Sequence, residues 1–175
     1  MQRTLVMIRH AKSSWANPLQ SDFERSLNER GEKDAPEMGK KLKKLNIIPD
    51  LIVASSAKRT RQTAKRIAKE VGYDIDRIKW EEKLYHCIPS VFEEVLCEIN
   101  EQVKTVFIVA HNPGITEFVR GYAERKRAVN GRRPVLADYV VIAFQCIDFF
   151  EGDDNVDSQF AEQMAELPDL EIGFF

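Results

Sequence analysis

The sequence predicts an α/β protein, a three-layer α/β/α sandwich around a mostly parallel central sheet. Short apolar runs alternate along the chain with segments of helical periodicity. The clearest run, Thr105–Ala110, is continuously apolar, as a strand covered on both faces should be. Cap and turn residues mark where the segments change.

In chain order, Leu5–Ile8 is the first apolar run, ending in Arg9-His10. A helix follows, capped by Asn28, with Ala35, Met38, Leu42 and Leu45 at helical spacing and Asn46 and Pro49 ending it. The lysines around Leu42 are then a solvated face, not a nucleic-acid patch. Leu51–Ala54 is the second strand. The next helix carries Ala64, Ile67, Ala68 and Val71 on one stripe and stops at Gly72. Ile75–Trp80 reads as a strand, and Phe92, Val95, Leu96 and Ile99 mark a third helix. After Thr105–Ala110, Asn112, Pro113 and Gly114 open a helix through Ile115, Phe118 and Val119, with Pro113 suited to its first position. Val140–Phe144 is a further strand. The acidic tail past Phe150 yields no element. The stretch from Asp153 imitates the start of a calcium loop, but Ser158 and Met164 stand where glycine and glutamate are needed.

Composition excludes several classes. The 175 residues are 43% hydrophobic and 31% charged, with no break that would divide residues 1–175 into more than one domain. A net charge of −2 offers no field for nucleic acid. No apolar run approaches the ~18 residues that span a bilayer. Arg3 and Thr4 lead straight into the first strand, so no secretion signal is expected and the cytoplasm is the expected location. Cys87, Cys97 and Cys146 are far apart, which fits buried thiols better than disulfides or a metal site. No metal or cofactor is expected.

In parallel sheets, ligands bind outside the carboxyl ends of the strands. The first strand ends in Arg9-His10. The second ends in Ser55-Ser56 and runs into a helix holding Lys58, Arg59 and Arg61. The third long run ends in His111-Asn112. Helix N-termini nearby add free amides and a positive dipole end. Imidazoles and guanidiniums converging at one sheet edge point to a phosphate pocket. The dinucleotide and P-loop glycine patterns are both missing.

"VMIRHAKSSW" at Val6, "ERSLNERG" at Glu24, "SSAKRTRQTA" at Ser55 and "VAHNPGI" at Val109 together resemble the histidine phosphatase superfamily, the phosphoglycerate mutase-like proteins. Length and the "HNPG" form resemble its compact SixA-type phosphohistidine phosphatase branch. The resemblance implies that His10 is the nucleophile, that Arg9 and Arg59 bind the phosphoryl group, and that His111 is the second pocket histidine. Lys12, Ser13 and Ser14 are expected at the pocket mouth. Asn112 and Glu82 are further candidates for substrate binding. Two departures stand out. Ala11 replaces the usual glycine beside the nucleophile, and no clear general acid appears, although Glu81 and Glu82 lie near where larger relatives carry a glutamate. His86 has no assigned role and is expected to be structural.

A site without a strong acid favours a phosphorylated imidazole over an alcohol ester, because alkoxides need a proton donor worth ~10²–10⁴-fold. The expected activity is a metal-independent phosphatase acting on phosphohistidine of a signalling protein. A small-molecule phosphomonoesterase and a non-catalytic phosphate-binding module are the alternatives. The expected partner is a phosphorylated protein or small phosphorylated molecule, with no nucleic acid and no membrane, and a monomer is expected. Arg120, Arg125, Lys126, Arg127, Arg132 and Arg133 crowd one segment, which could dock an acidic protein surface or be a solvated connection balanced by the tail.

Overall fold

The structure, a computed structural model, describes residues 3–127, 139–145 and 171–174. Within them the strands are β1 (Arg3–Arg9), β2 (Leu51–Ser55), β3 (Lys79–Glu81), β4 (Thr105–Ala110), β5 (Tyr139–Gln145) and β6 (Glu171–Phe174). The helices are α1 (Glu29–Lys44), α2 (Lys58–Val71), α3 (Pro89–Cys97) and α4 (Gly114–Arg127). The strands form one sheet in the order β3-β2-β4-β1-β5-β6, and every pairing is parallel. Parallel neighbours need crossover connections, and α2 lies in the one between β2 and β3.

Strand periodicity sorts the core into two layers. Val6, Ile8, Ile52, Ala54, Phe107 and Val109 pack with Met38 and Leu42 of α1 and with Ala64 and Ile67 of α2. Their neighbours Leu5, Met7, Val53, Val106 and Ile108 face Phe92 and Val95 of α3 and Ile115 and Phe118 of α4. Burying each such side chain contributes ~1.5–3 kcal/mol. The three-layer α/β/α arrangement expected from the sequence is therefore the observed one.

Helix ends follow their chemistry. The Asn28 side chain accepts from the Gly31 amide at 2.8 Å and caps α1. Gly72 closes α2 in the left-handed region, φ 78°. Pro36 lies inside α1, where it removes one backbone donor without ending the helix.

Several expectations need correction. Ile75–Trp80 is not one strand: the Asp74 side chain accepts from the Asp76 amide and winds Ile75–Arg77 into a 3-10 turn, so only Lys79–Glu81 pairs with β2. Leu45 is 53% exposed because it stands at the C-cap, where the helix has already ended. Pro113 precedes α4 instead of opening it, and its carbonyl accepts from the Glu117 amide. Cys97 is exposed and Cys87 half-buried, so the buried-thiol expectation fails for the first; burial raises the Cys87 thiol pKa to about 11. Within the tail, β6 pairs with β5. The calcium-like stretch, Cys146, Arg132 and Arg133 lie outside the described residues.

Two glycines mark close approaches. A Cβ on Gly39 would lie 2.7 Å from Glu70 Cβ, where α1 meets α2. A Cβ on Gly31 would lie 2.2 Å from the Lys12 carbonyl oxygen, where α1 presses on the segment leaving β1. Gly31→Ala should therefore destabilise the protein by ~1–3 kcal/mol, the usual cost of overpacking. A denaturant titration showing an unchanged midpoint would contradict this.

Candidate active site

Four adjacent strands each deliver part of one site to their carboxyl edge. β1 ends at Arg9 and passes directly to His10, while β2 ends at Ser55 and leads into α2, whose second residue is Arg59. β4 leads to His111, and the segment after β3 brings Tyr85 and His86. The loop between β1 and α1 adds Asp22.

Arg59 is the centre of this arrangement, although it is only 2% exposed. Its Nε–H donates to His10 Nε2 at 3.1 Å. Its NH1 donates to the Asp22 backbone carbonyl, and its NH2 to Asp22 Oδ2 at 2.8 Å and His111 Nδ1 at 3.2 Å. A guanidinium only donates, and its two NH2 hydrogens go to Asp22 and His111, so His10 Nε2 and His111 Nδ1 are unprotonated acceptors, while His86 Nε2, 3.3 Å from the same NH2, turns its proton to Asp22.

The tautomers follow from these partners. His10 Nδ1 lies 2.8 Å from the Ala11 carbonyl oxygen, which only accepts, so Nδ1 carries the proton and Nε2 the lone pair. His111 has the opposite form: its Nε2 carries the proton and faces Ser55 Oγ at 2.9 Å. The two rings meet edge-on with centroids 5.1 Å apart. Burial chiefly, with the Arg59 and Arg9 charges, lowers the His10 pKa to about 3 against the pull of the Ala11 carbonyl. Burial also dominates at His111, joined by the His10 and Arg59 charges, and lowers its pKa to about 2.

Asp22 has the opposite balance. Burial pushes its pKa up, but hydrogen bonds from Tyr85, His86, Arg59 and Arg25 outweigh this and hold the carboxyl well below the usual carboxylate range. Oδ2 accepts from Tyr85 OH at 2.6 Å and from His86 Nε2 at 3.1 Å, while Oδ1 takes Arg25 at 2.7 Å. Arg25 also donates to Ser13 Oγ at 2.6 Å and to the Ser14 carbonyl, and lies over the Trp15 ring. It thereby ties the exit of β1 to the Asp22 segment.

The structure thus brings His10, Arg59 and His111 into contact, with Arg9 next to His10 in the chain. Ser13 is buried against Arg25. Asn112 follows His111, and its Oδ1 is buried without a hydrogen-bond partner among the described residues. Lys12 and Glu82 are exposed, and their described hydrogen bonds are made by their backbones, so neither is joined to the imidazoles. Glu81 pairs with Lys79 at 2.8 Å.

Ala11 fits its place. It is fully buried against Leu27 and Ala35, its φ is not positive, and its amide donates to Thr63 Oγ1 at 3.1 Å. Nothing there requires glycine.

His86, expected to be structural, lies at this site. Its ring stacks on His111 with centroids 5.0 Å apart, and its Nε2 bonds Asp22. The backbone at His86 is left-handed, φ 48°, a conformation that persists in non-glycine residues when the surroundings enforce it. Sequence reasoning also missed Asp22 and Tyr85. Asp22 lies two residues before the "ERSLNERG" motif, and only that proximity could have flagged it.

A family profile, "Histidine phosphatase superfamily (branch 1)", matches residues 5–104, more than half of the chain. The chain belongs to the histidine phosphatase superfamily. Within it, the structural likeness is to the SixA-type branch. A protein of Agrobacterium tumefaciens provisionally described as the phosphohistidine phosphatase SixA is 31% identical, with a TM-score of 0.60 over 66% of this chain and 74% of that one. An uncharacterised chloroplastic protein of Arabidopsis thaliana is 29% identical over 67% of this chain and 57% of its own length. A 2,3-bisphosphoglycerate-dependent phosphoglycerate mutase of Bartonella tribocorum is 37% identical over 45% of this chain and 40% of its own. The chain therefore spans about half the length of these curated relatives.

With folded-state pKa values below the unfolded value of about 6.5, both site imidazoles should stay neutral between pH 8 and pH 5. The unfolded chain then binds more protons, so stability should fall as pH drops from about 6.5 toward 3. NMR titration of His10 and His111 checks this, and midpoints near 6.5 would contradict it.

Proposed function

We propose that this protein is a metal-independent phosphatase that works through a phosphohistidine intermediate on His10, with phosphohistidine of a signalling protein as its substrate. The observation that carries this is the His10 imidazole: neutral, with Nδ1–H tied to the Ala11 carbonyl and the Nε2 lone pair facing a buried guanidinium. A lone pair held in this way is a competent nucleophile, and the cation beside it is where phosphoryl oxygens would lie.

In the first step His10 Nε2 attacks phosphorus in line. The P–Nε2 bond forms, the bond to the leaving group breaks, and its electron pair departs with that group. Water then attacks the phosphorylated imidazole, releasing phosphate and restoring neutral His10. Charge spread over the equatorial oxygens falls to Arg59 and Arg9. Once a phosphoryl oxygen takes the Arg59 NH2 hydrogen from His111 Nδ1, the His111 proton can move from Nε2 to Nδ1 and be donated to that phosphoryl group. The Ser55 hydroxyl both donates and accepts, so it permits that exchange without losing its own hydrogen bond.

Two features support phosphohistidine over alcohol esters. Asp22 is held ionised and has no proton to give, and Glu82 stands apart from the imidazoles. A phosphorylated imidazole protonated on its free nitrogen departs as a neutral ring and needs no enzyme acid. The likeness to SixA-type proteins points the same way.

In a substrate panel run with excess chelator, a phosphohistidine peptide should be turned over faster than sugar phosphates or phenyl phosphate. Arg59→Ala should lower kcat/KM by ~10²–10³-fold, the usual effect of losing one preorganised donor. Loss of activity in chelator, or a preference for sugar phosphates, would contradict the proposal.

A further inference from the structure

The Asp22 carboxylate has no part in the chemistry just described, yet it is bonded to the groups that surround the reacting atoms. Oδ2 accepts from Arg59 NH2, Tyr85 OH and His86 Nε2, and Oδ1 accepts from Arg25. Four donors on one carboxylate fix both its position and its charge.

Exposure increases outward through the site. His111 and Arg59 are each 2% exposed, whereas the Asp22 side chain is 38% and the His86 side chain 47% exposed. A leaving group carried by a larger molecule has no room at the buried end, where Arg59 and His111 lie, so it occupies the side where Asp22 and His86 are exposed. It must also leave by that side. Asp22, Tyr85 and His86 are therefore the groups that a leaving group meets.

We infer that Asp22 is a specificity-determining residue, whose carboxylate accepts a hydrogen bond from the free ring N–H of a phosphorylated imidazole and repels leaving groups that carry negative charge. This rests on the phosphatase activity proposed above and names the feature of the substrate that is read. In the step itself the substrate's P–N bond breaks and its electron pair returns to the ring nitrogen. The proton on the ring's other nitrogen stays with the departing neutral imidazole. Asp22 favours the protonated ring before the step and gains no proton from it. An ester of a carboxylate-bearing alcohol would instead place a second anion beside Asp22.

Arg59 can serve both groups. Its Nε and NH2 edges face His10 and His111, where phosphoryl oxygens would sit, while Asp22 is also retained by Tyr85, His86 and Arg25. Asp22 thus keeps its place without depending on Arg59 alone.

The test compares kcat/KM for a phosphohistidine peptide, phenyl phosphate and 3-phosphoglycerate in the wild type, Asp22→Asn and Asp22→Glu. Asp22→Asn should lower the ratio of phosphohistidine to phenyl phosphate by about tenfold to a hundredfold, the range for one hydrogen bond to a charged group. It should raise the ratio of 3-phosphoglycerate to phenyl phosphate. Asp22→Glu, which keeps the charge, should preserve most of the wild-type selectivity, and it remains informative if the asparagine variant does not fold. A wild type that hydrolyses phosphohistidine with ratios unchanged in Asp22→Asn, or changed equally for all three substrates, would overturn the role of Asp22 alone. A wild type active on phenyl phosphate but not on phosphohistidine would overturn the substrate proposed in the preceding subsection.

Discussion

A guanidinium that is 2% exposed must be surrounded by acceptors, and the site is organised around that requirement at Arg59. An unpaired charge at such a depth would cost several kcal/mol. The acceptors come from separate parts of the chain: His10 after β1, His111 after β4, and both the carbonyl and carboxylate of Asp22 from the loop between β1 and α1. Satisfying one cation therefore assembles the pocket. The same cation determines the protonation of its neighbours. Nitrogens that accept from a guanidinium cannot carry protons, so His10 and His111 are each held neutral, in opposite tautomers.

The fold makes this convergence possible with little irregular backbone. In a sheet ordered β3-β2-β4-β1, four neighbouring strands end on the same side, and each continues into a site residue or a helix bearing one. Packing then fixes the details. Thr63, one turn after Arg59 on α2, receives the Ala11 amide and bonds back to the Arg59 carbonyl, so the main chain beside His10 is fastened to the helix that presents Arg59. On the other side, Gly31 lets the start of α1 approach the Lys12 carbonyl. Ala11 fills the space between these contacts with a single methyl group against Leu27 and Ala35.

What the sequence revealed of this site depended on how regular the surrounding backbone is. Arg9-His10, Ser55, Arg59 and His111 each follow a strand whose apolar run is unmistakable, so their place at one edge could be inferred from periodicity. Asp22, Tyr85 and His86 lie in turns and short 3-10 segments, where no period links a residue to a face. Their convergence depends on tertiary contacts such as the Phe23–Tyr85 and His86–His111 ring pairs. Likewise, β3 is shorter than the Ile75–Trp80 segment read as a strand because Asp74 diverts the backbone into a turn, and the four residues of β6 carry too little pattern to stand out in an acidic tail. His86 was hardest to place: an exposed residue with left-handed backbone has no sequence signature unless it is glycine or asparagine.

In the proposed mechanism His10 attacks through Nε2, the nitrogen left unprotonated by the Ala11 contact. Rapid mixing with a phosphorylated substrate, quenching at alkaline pH and determining the phosphorylated nitrogen by phosphorus NMR and peptide mapping tests it directly. An acid-labile phosphoryl group is expected on His10 Nε2, absent in His10→Asn. Phosphate on Nδ1, on another residue, or turnover persisting in His10→Asn would contradict it.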